Sequence, residues 1–392
     1  MLYFVEGFPF GIFRDVWGVY FRVHGASLES VGAISALYLA WSLKFLWSPL
    51  VDAWADAQRW ICGSLACMAA ALLVLSERNP STIDGVIWLA LAAFCVASAT
   101  QDVAIDGYTI RFLPRGEEGP ANGIRITAYR AALIAGGGAL VLLPRAIGWP
   151  ATWSVAAAVL IGLALVAWQT PRVAPHTKAK GLNPLTALRP WLARPGAVSV
   201  LAFVMLYRLG DLGMGPMVKP FWVDRGLSLE EIGLVSTTLG AVATVLGALA
   251  GGAFVARRGI AEGLLVLGLF ALFSNLGYAA AAAFPETGRT GVYAASVVES
   301  FSAGLASAAF LAFLMRICER EHAAVQFACL TALYALPGTF AGAASGWAAQ
   351  SMGYAGYFAA TAVLALPAFA FLPRTRAWLT EPAAEAAKEA HA

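Results

Sequence analysis

The chain has 392 residues, of which 60% are hydrophobic and 12% charged, with a mean hydropathy of +0.71. That composition excludes a soluble globular protein, and a formal net charge of +3 gives no reason to expect a nucleic-acid partner. Apolar runs of about 20 residues recur from end to end, the length that crosses a hydrocarbon core of ~30 Å. The alternating pattern of a membrane β-barrel is absent, so the spans are expected to be helices that satisfy their own backbone groups.

In chain order the spans fall near 1–22, 31–51, 60–76, 86–111, 119–143, 151–169, 196–221, 232–254, 262–284, 291–315, 323–348 and 354–372. Ionisable residues concentrate in six of them. Span 1 holds Glu6, Arg14 and Asp15, and span 2 holds Lys44. Span 4 contributes Asp102 and Asp106 beside Gln101, and span 5 contributes Arg125 and Arg130 beside Tyr129. Span 7 contributes Arg208 and Asp211, and span 10 contributes Glu299. A charge at the bilayer centre costs at least ~2.5–3.5 kcal/mol on insertion scales, so such residues face a partner or a wet cavity. Helices that share this burden are expected to line one polar interior, the layout of a transporter.

Lys and Arg in the short loops set the orientation. One side collects Arg59, Arg111, Arg115, Arg172, Arg189, Arg257, Arg316 and Arg374 among others; the opposite side offers Arg22, Arg78, Arg145, Arg225 and Arg289. The first side is therefore expected to be cytoplasmic, with both termini on it. The first span starts at Met1 without a basic leader or small-residue cleavage site, so it reads as a helix rather than a signal peptide, and a true start upstream of Met1 is left open. Five cysteines without metal-type spacing are expected to be free, and no metal site is expected.

Two separate segments repeat at one distance. Gly25-Ala26-Ser27-Leu28-Glu29 returns as Gly226-Leu227-Ser228-Leu229-Glu230, an offset of 226 − 25 = 201. Phe112-Leu113-Pro114-Arg115 returns as Phe313-Leu314-Met315-Arg316, and 313 − 112 is again 201. The shared offset predicts two six-helix halves in the same orientation, the plan of the major facilitator superfamily. The fold class expected is thus an all-α integral membrane protein of twelve helices. Its N-terminal bundle covers 1–170, a Pro-rich and basic cytoplasmic linker 171–195, the C-terminal bundle 196–373 and a tail 374–392. Ser228 with Glu231 forms a capping-box signature at the entry of helix 8, and Ser27 is placed to cap helix 2.

Asp102 and Asp106 lie four apart and share a helix face, near the depth of Arg125 and Arg130. They read either as proton-carrying acids or as a salt-bridge network holding helices 4 and 5 together. Arg208 and Asp211 lie three apart and can neutralise each other, followed by Gly213, Gly215, Pro216 and Pro220, which suggest a bending cavity helix. Lys44 can pair with Asp52 or reach the interface. Arg14 and Asp15 are adjacent and so are expected to point in different directions. The many aromatics of helix 1 receive no stacking role, while Gly136-Gly137-Gly138 and Gly247, Gly251 and Gly252 read as close-packing positions.

Residues 38–52 (YLAWSLKFLWSPLVD), 100–108 (TQDVAIDGY), 208–211 (RLGD) and 325–333 (VQFACLTAL) resemble the AmpG-type muropeptide permeases. That group also contains acetyl-CoA transporters and, more loosely, siderophore permeases of the pyochelin and rhizobactin type. The resemblance implies proton-driven import across the bacterial inner membrane by alternating access. It matches Asp102 and Asp106 to paired helix-4 acids, Arg130 to the arginine of a Tyr-Arg, Asp211 to the acid of a Lys/Arg-Leu-Gly-Asp motif, and Glu299 to a helix-10 acid. The loop between spans 2 and 3 departs from the pattern, leaving Asp52, Asp56 and Arg59 as a reduced gate.

The resulting expectation is a monomeric proton symporter, not an enzyme, without a cofactor beyond the proton gradient. Asp102, Asp106, Asp211 and Glu299 are expected to couple protons. Glu6, Arg14, Lys44, Gln101, Arg125, Tyr129, Arg130 and Arg208 are expected to bind a small polar, anionic organic solute of the muropeptide type. Siderophore or acetyl-CoA-type cargo are the alternatives, and a non-transporting membrane receptor is the remote one.

Overall fold

A computed structural model describes residues 1–48, 50–51, 56–112, 128–172, 191–318 and 323–379. Its helices, numbered in chain order, are α1 (2–23), α2 (Leu28–Leu43, continued by the 3-10 turn Lys44–Leu46), α3 (Ala57–Ser76) and α4 (Gly85–Phe112). Then follow α5 (Ala128–Leu142), α6 (Pro144–Trp168), α7 (Ala197–Asp224), α8 (Leu229–Arg258), α9 (Ile260–Ala283) and α10 (Gly288–Ile317). The run Ala323–Ala370 bends at Gly353, where φ is +71°, and divides into α11 (323–352) and α12 (354–370). Among the described residues, eight helices are long and apolar enough to cross a membrane, and with the shorter apolar helices they are consistent with the twelve spans that the hydropathy placed. Arg125 and Asp52, and most of the 171–195 linker, lie outside the described residues.

The repeat is visible in backbone detail. Gly25 and Gly226, 201 apart, both hold positive φ (+85° and +71°), a conformation glycine adopts at little steric cost. Each is followed by a serine that caps the next helix. Ser27 accepts from the Ser30 N–H, and Ser228 forms the complete capping box with Glu231. A Cβ on Gly11 would meet the Gly137 backbone, and one on Gly338 would meet the Leu212 side chain; 11 + 201 is 212 and 137 + 201 is 338.

Two compact units result. The first comprises Met1–Ala179 together with Pro216–Thr238; the second comprises Lys180–Gly215 and Leu239–Ala392. In the first, Trp17 packs edge-on to Phe94, and Tyr20 contacts both Trp149 and Trp153, so α1 is buried among α4 and α6. The second is centred on Trp191, Phe203, Tyr207, Phe310, Phe313 and Trp378. Helices approach closely where glycines remove side chains. A Cβ on Gly136 would strike the Phe8 carbonyl, and one on Gly251 would sit 2.6 Å from the Leu305 carbonyl. Gly252, expected to serve in the same way, faces open space instead.

Candidate functional site

Within the first unit, α1, α2, α4 and α5 bring most of the expected polar residues together. Lys44 Nζ stands 3.5 Å from Asp102 Oδ2, which gives this lysine a helix-4 acid as a partner, while the pairing with Asp52 falls outside the described residues. The charges of Asp106 and Glu6 also act on the Lys44 ammonium. One residue before Asp102, fully buried Gln101 donates through Nε2 to the Val5 carbonyl at 2.9 Å and joins α4 to α1 beside Glu6. Trp47 Nε1 donates to Thr100 Oγ1 at 3.1 Å and clips the end of α2 to the same turn of α4.

A second cluster lies further along α1. Residues Ile12–Val16 form a π turn, which rotates each successive side chain less than an α-helix does. Arg14 and Asp15 consequently meet, contrary to the expectation that neighbours diverge. Arg14 Nε and Nη2 reach Asp15 Oδ2 at 3.2 and 2.9 Å. The Asp15 side chain is 6% exposed and that of Arg14 42%. Opposite Asp15 lies the π turn of α5 (Ile134–Ala139), where a Cβ on Gly137 would fall 2.7 Å from the carboxylate. The glycine run of α5 therefore makes room for an acid as well as for a helix. Arg130 and Tyr129 lie within the electrostatic reach of Arg14.

Asp15 has a further partner that the span-by-span reading passed over. Lys219 Nζ lies 3.8 Å from Asp15 Oδ1 and donates to Ser236 Oγ and Thr237 Oγ1, both at 2.7 Å. The signal was present in the sequence: a lysine between Pro216 and Pro220 in the span that already carries Arg208 and Asp211. Aromatic side chains were also undervalued. Phe10 and Phe13 of α1 meet Trp41 of α2 at ring-centroid distances of 5.3 and 5.0 Å, and Tyr38 and Tyr129 join the same network. All five are half-buried and lie among the charged side chains.

In the second unit Arg208 Nε pairs with Asp211 Oδ2 at 2.8 Å, as their spacing predicted. Arg208 Nη1 also donates to Ser307 Oγ at 2.5 Å, and Asn275 Nδ2 lies 3.4 Å from Asp211 Oδ1, so α7, α9 and α10 share one network. Ser307 and Ala303, whose carbonyl Arg208 also approaches, are the repeat equivalents of Asp106 and Asp102. The backbone turns at Tyr207–Arg208, while the helix continues through Pro216 and Pro220. Glu299 receives a 3.3 Å hydrogen bond from Ser300 and lies two turns from Ser307 along α10.

The fold is shared with several solved transporter structures. The chain superimposes on an inward-facing bacterial homologue of the human lysosomal transporter Spinster with a TM-score of 0.75 at 17% identity, over 97% of this chain and 96% of that one. It matches the nucleoside transporter NupG with a TM-score of 0.71 at 15% identity, over 95% and 96% of the two chains. A D-xylose–proton symporter gives 0.69 at 11% identity, over 94% and 95%. The fold is that of the major facilitator superfamily.

The sequence is similar to the anhydromuropeptide permease of Escherichia coli K12, at 29% identity over 385 residues, covering 95% of this chain and 78% of the relative. A putative transporter AmpG 4 of Rickettsia felis is 25% identical over 389 residues, covering 94% and 93%. No family model matches the chain. The AmpG-like resemblance read from four short strings therefore extends along almost the whole sequence.

Proposed function

We propose that this chain is a proton-driven symporter that imports an anionic organic solute of the anhydromuropeptide class across the bacterial inner membrane by alternating access, with both termini cytoplasmic. The observation that carries the reading is the Lys44–Asp102 ion pair, set inside helices α2 and α4 with Glu6 and Asp106 acting on the same lysine. A carboxylate in such surroundings exchanges one stabilising partner, the lysine, for another, a proton. Protonation of Asp102 releases Lys44, and a solute anion can then take the ammonium. Arg14 and Arg130 offer planar forks for further solute carboxylates, and the rings of Phe10, Trp41 and Tyr129 offer flat apolar faces. The similarity to an anhydromuropeptide permease over 95% of the chain supports that cargo, and the role is transport rather than catalysis.

Uptake of a labelled anhydromuropeptide into proteoliposomes, under an imposed pH gradient that is acidic outside, tests the proposal. The expected result is accumulation that collapses with a protonophore and is absent in Asp102→Asn. Gradient-driven accumulation that survives in a folded Asp102→Asn variant would refute the coupling role.

A further inference from the structure

Residues 216–238 come from the second half of the sequence but pack within the first unit. Three ion pairs tie this segment to α1 and α6. Arg22 reaches both oxygens of Asp224 at 2.6 and 2.7 Å, Arg145 pairs with Glu230, and Lys219 pairs with Asp15. The first two sit at helix ends open to solvent, where such pairs are worth little. The third is buried, and it is contested: Asp15 Oδ2 holds Arg14 at 2.9 Å while Oδ1 stands 3.8 Å from Lys219. One carboxylate is divided between a cation on its own helix and a cation on the incoming segment, with the tighter contact to the former.

We propose that Asp15 is a coupling residue that trades Arg14 for Lys219, and that an anionic group of the solute causes the trade by taking over Arg14. This rests on the solute being anionic, as proposed above. The exposures fit the roles: the Arg14 guanidinium is open enough to meet a solute and Asp15 is not. A solute carboxylate occupies the Nε–Nη2 edge that Asp15 now holds, the geometry in which guanidinium binds carboxylate best. Displaced, the buried Asp15 requires a nearby cation, since an uncompensated carboxylate there is costly. Lys219 stands beside it, already oriented by Ser236 and Thr237. Gly137, lacking a Cβ, lets the carboxylate lie against α5 beside both cations. Residues 216–238, already clasped to α1 and α6 at their outer ends, are thereby drawn tighter onto α1 when solute is aboard, because the Lys219–Asp15 pair closes up.

The exchange can be read without any solute. In the full chain, with native cysteines replaced by serine, spin labels at Val23→Cys and Leu229→Cys report the separation of α1 from the segment by pulsed EPR in nanodiscs. An Arg22→Gln background weakens the outer clasp so that short and long distances are both populated. Arg14→Gln, which releases Asp15 as solute would, is expected to raise the ratio of short to long distances about threefold or more, and Arg14→Gln/Asp15→Asn to reverse that gain. An unchanged ratio in Arg14→Gln, or a gain that persists without the Asp15 carboxylate, overturns the proposal whatever the cargo. Adding an anhydromuropeptide to the Arg14-bearing protein should shift the ratio in the same direction. A shift in Arg14→Gln, together with no response to that solute, upholds the exchange and removes anhydromuropeptides from the proposed function.

Discussion

Replacing either member of the Lys44–Asp102 pair leaves the other charge without its nearest counter-ion. Breaking a buried pair on one side costs about 3–5 kcal/mol, and the 32% exposure of the Lys44 side chain places this pair at the lower end. Lys44→Met and Asp102→Asn are therefore each expected to lower the melting temperature in detergent. The double variant should be more stable than the sum of the two losses implies, yet inactive in gradient-driven uptake. A double variant that transports would reduce the pair to a structural strut. The identity of these residues was legible because ionisable groups stand out in an apolar span; their partners were not. Lys44 feels Asp102, Asp106 and Glu6 from two other helices, and the packing of α2 against α4 brings it to Asp102. The Arg14–Asp15 contact was hidden because a π turn changes the angular step between neighbours, and nothing in Ile12–Val16 announces one. Lys219 was overlooked for a plainer reason, standing near the end of a span whose charges seemed already explained by Arg208 and Asp211.

Helix ends and helix faces carry the next level of specification. Ser228 satisfies free N–H groups at the start of α8, and Ser228→Ala is expected to cost about 0.5–2 kcal/mol, measurable as a lowered melting temperature. Ser27→Ala should cost less, because Ser27 has a single cap bond where Ser228 has the reciprocal pair. Between α1 and α5 the contact is made by glycines, and Gly137→Ala places a methyl group 2.7 Å from the Asp15 carboxylate. The expected outcome is a destabilisation of about 1–3 kcal/mol, as for other overpacked interiors. Uptake should also fall, since the Arg14–Asp15 contact must move; an Ala variant with normal melting and normal uptake would show that the approach is not tight. The capping serines could be read directly from sequence because the motif is local. The glycines could be assigned to close packing but not to partners: Gly136 and Gly137 meet α1, while Gly252, identical in pattern, meets nothing.

Over the whole chain, the 201-residue offset is the sequence mark of the two-halved architecture, and the positive-φ glycines at 25 and 226 carry it into the backbone. Less legible was how the duplicated parts share residues, because hydropathy reports which segments are buried and not which neighbours bury them. The outer ion pair offers a test at this scale. Arg22→Asp should reduce uptake, and Arg22→Asp/Asp224→Arg should restore most of it, because the bidentate contact is reciprocal. Failure of the exchange to restore uptake would assign Arg22 some other duty. The placement of 216–238 in the first unit also bears on how the protein is made. Residues 216–238 leave the ribosome after residues 1–170, so the contacts they make in the first unit can form only once part of the second half has been made. A gene split in the 171–195 linker would yield an N-terminal fragment lacking those contacts, whereas the same fragment co-expressed with a peptide carrying 216–238 should be spared proteolysis. Protection of that fragment would make the two repeats interdependent in biogenesis.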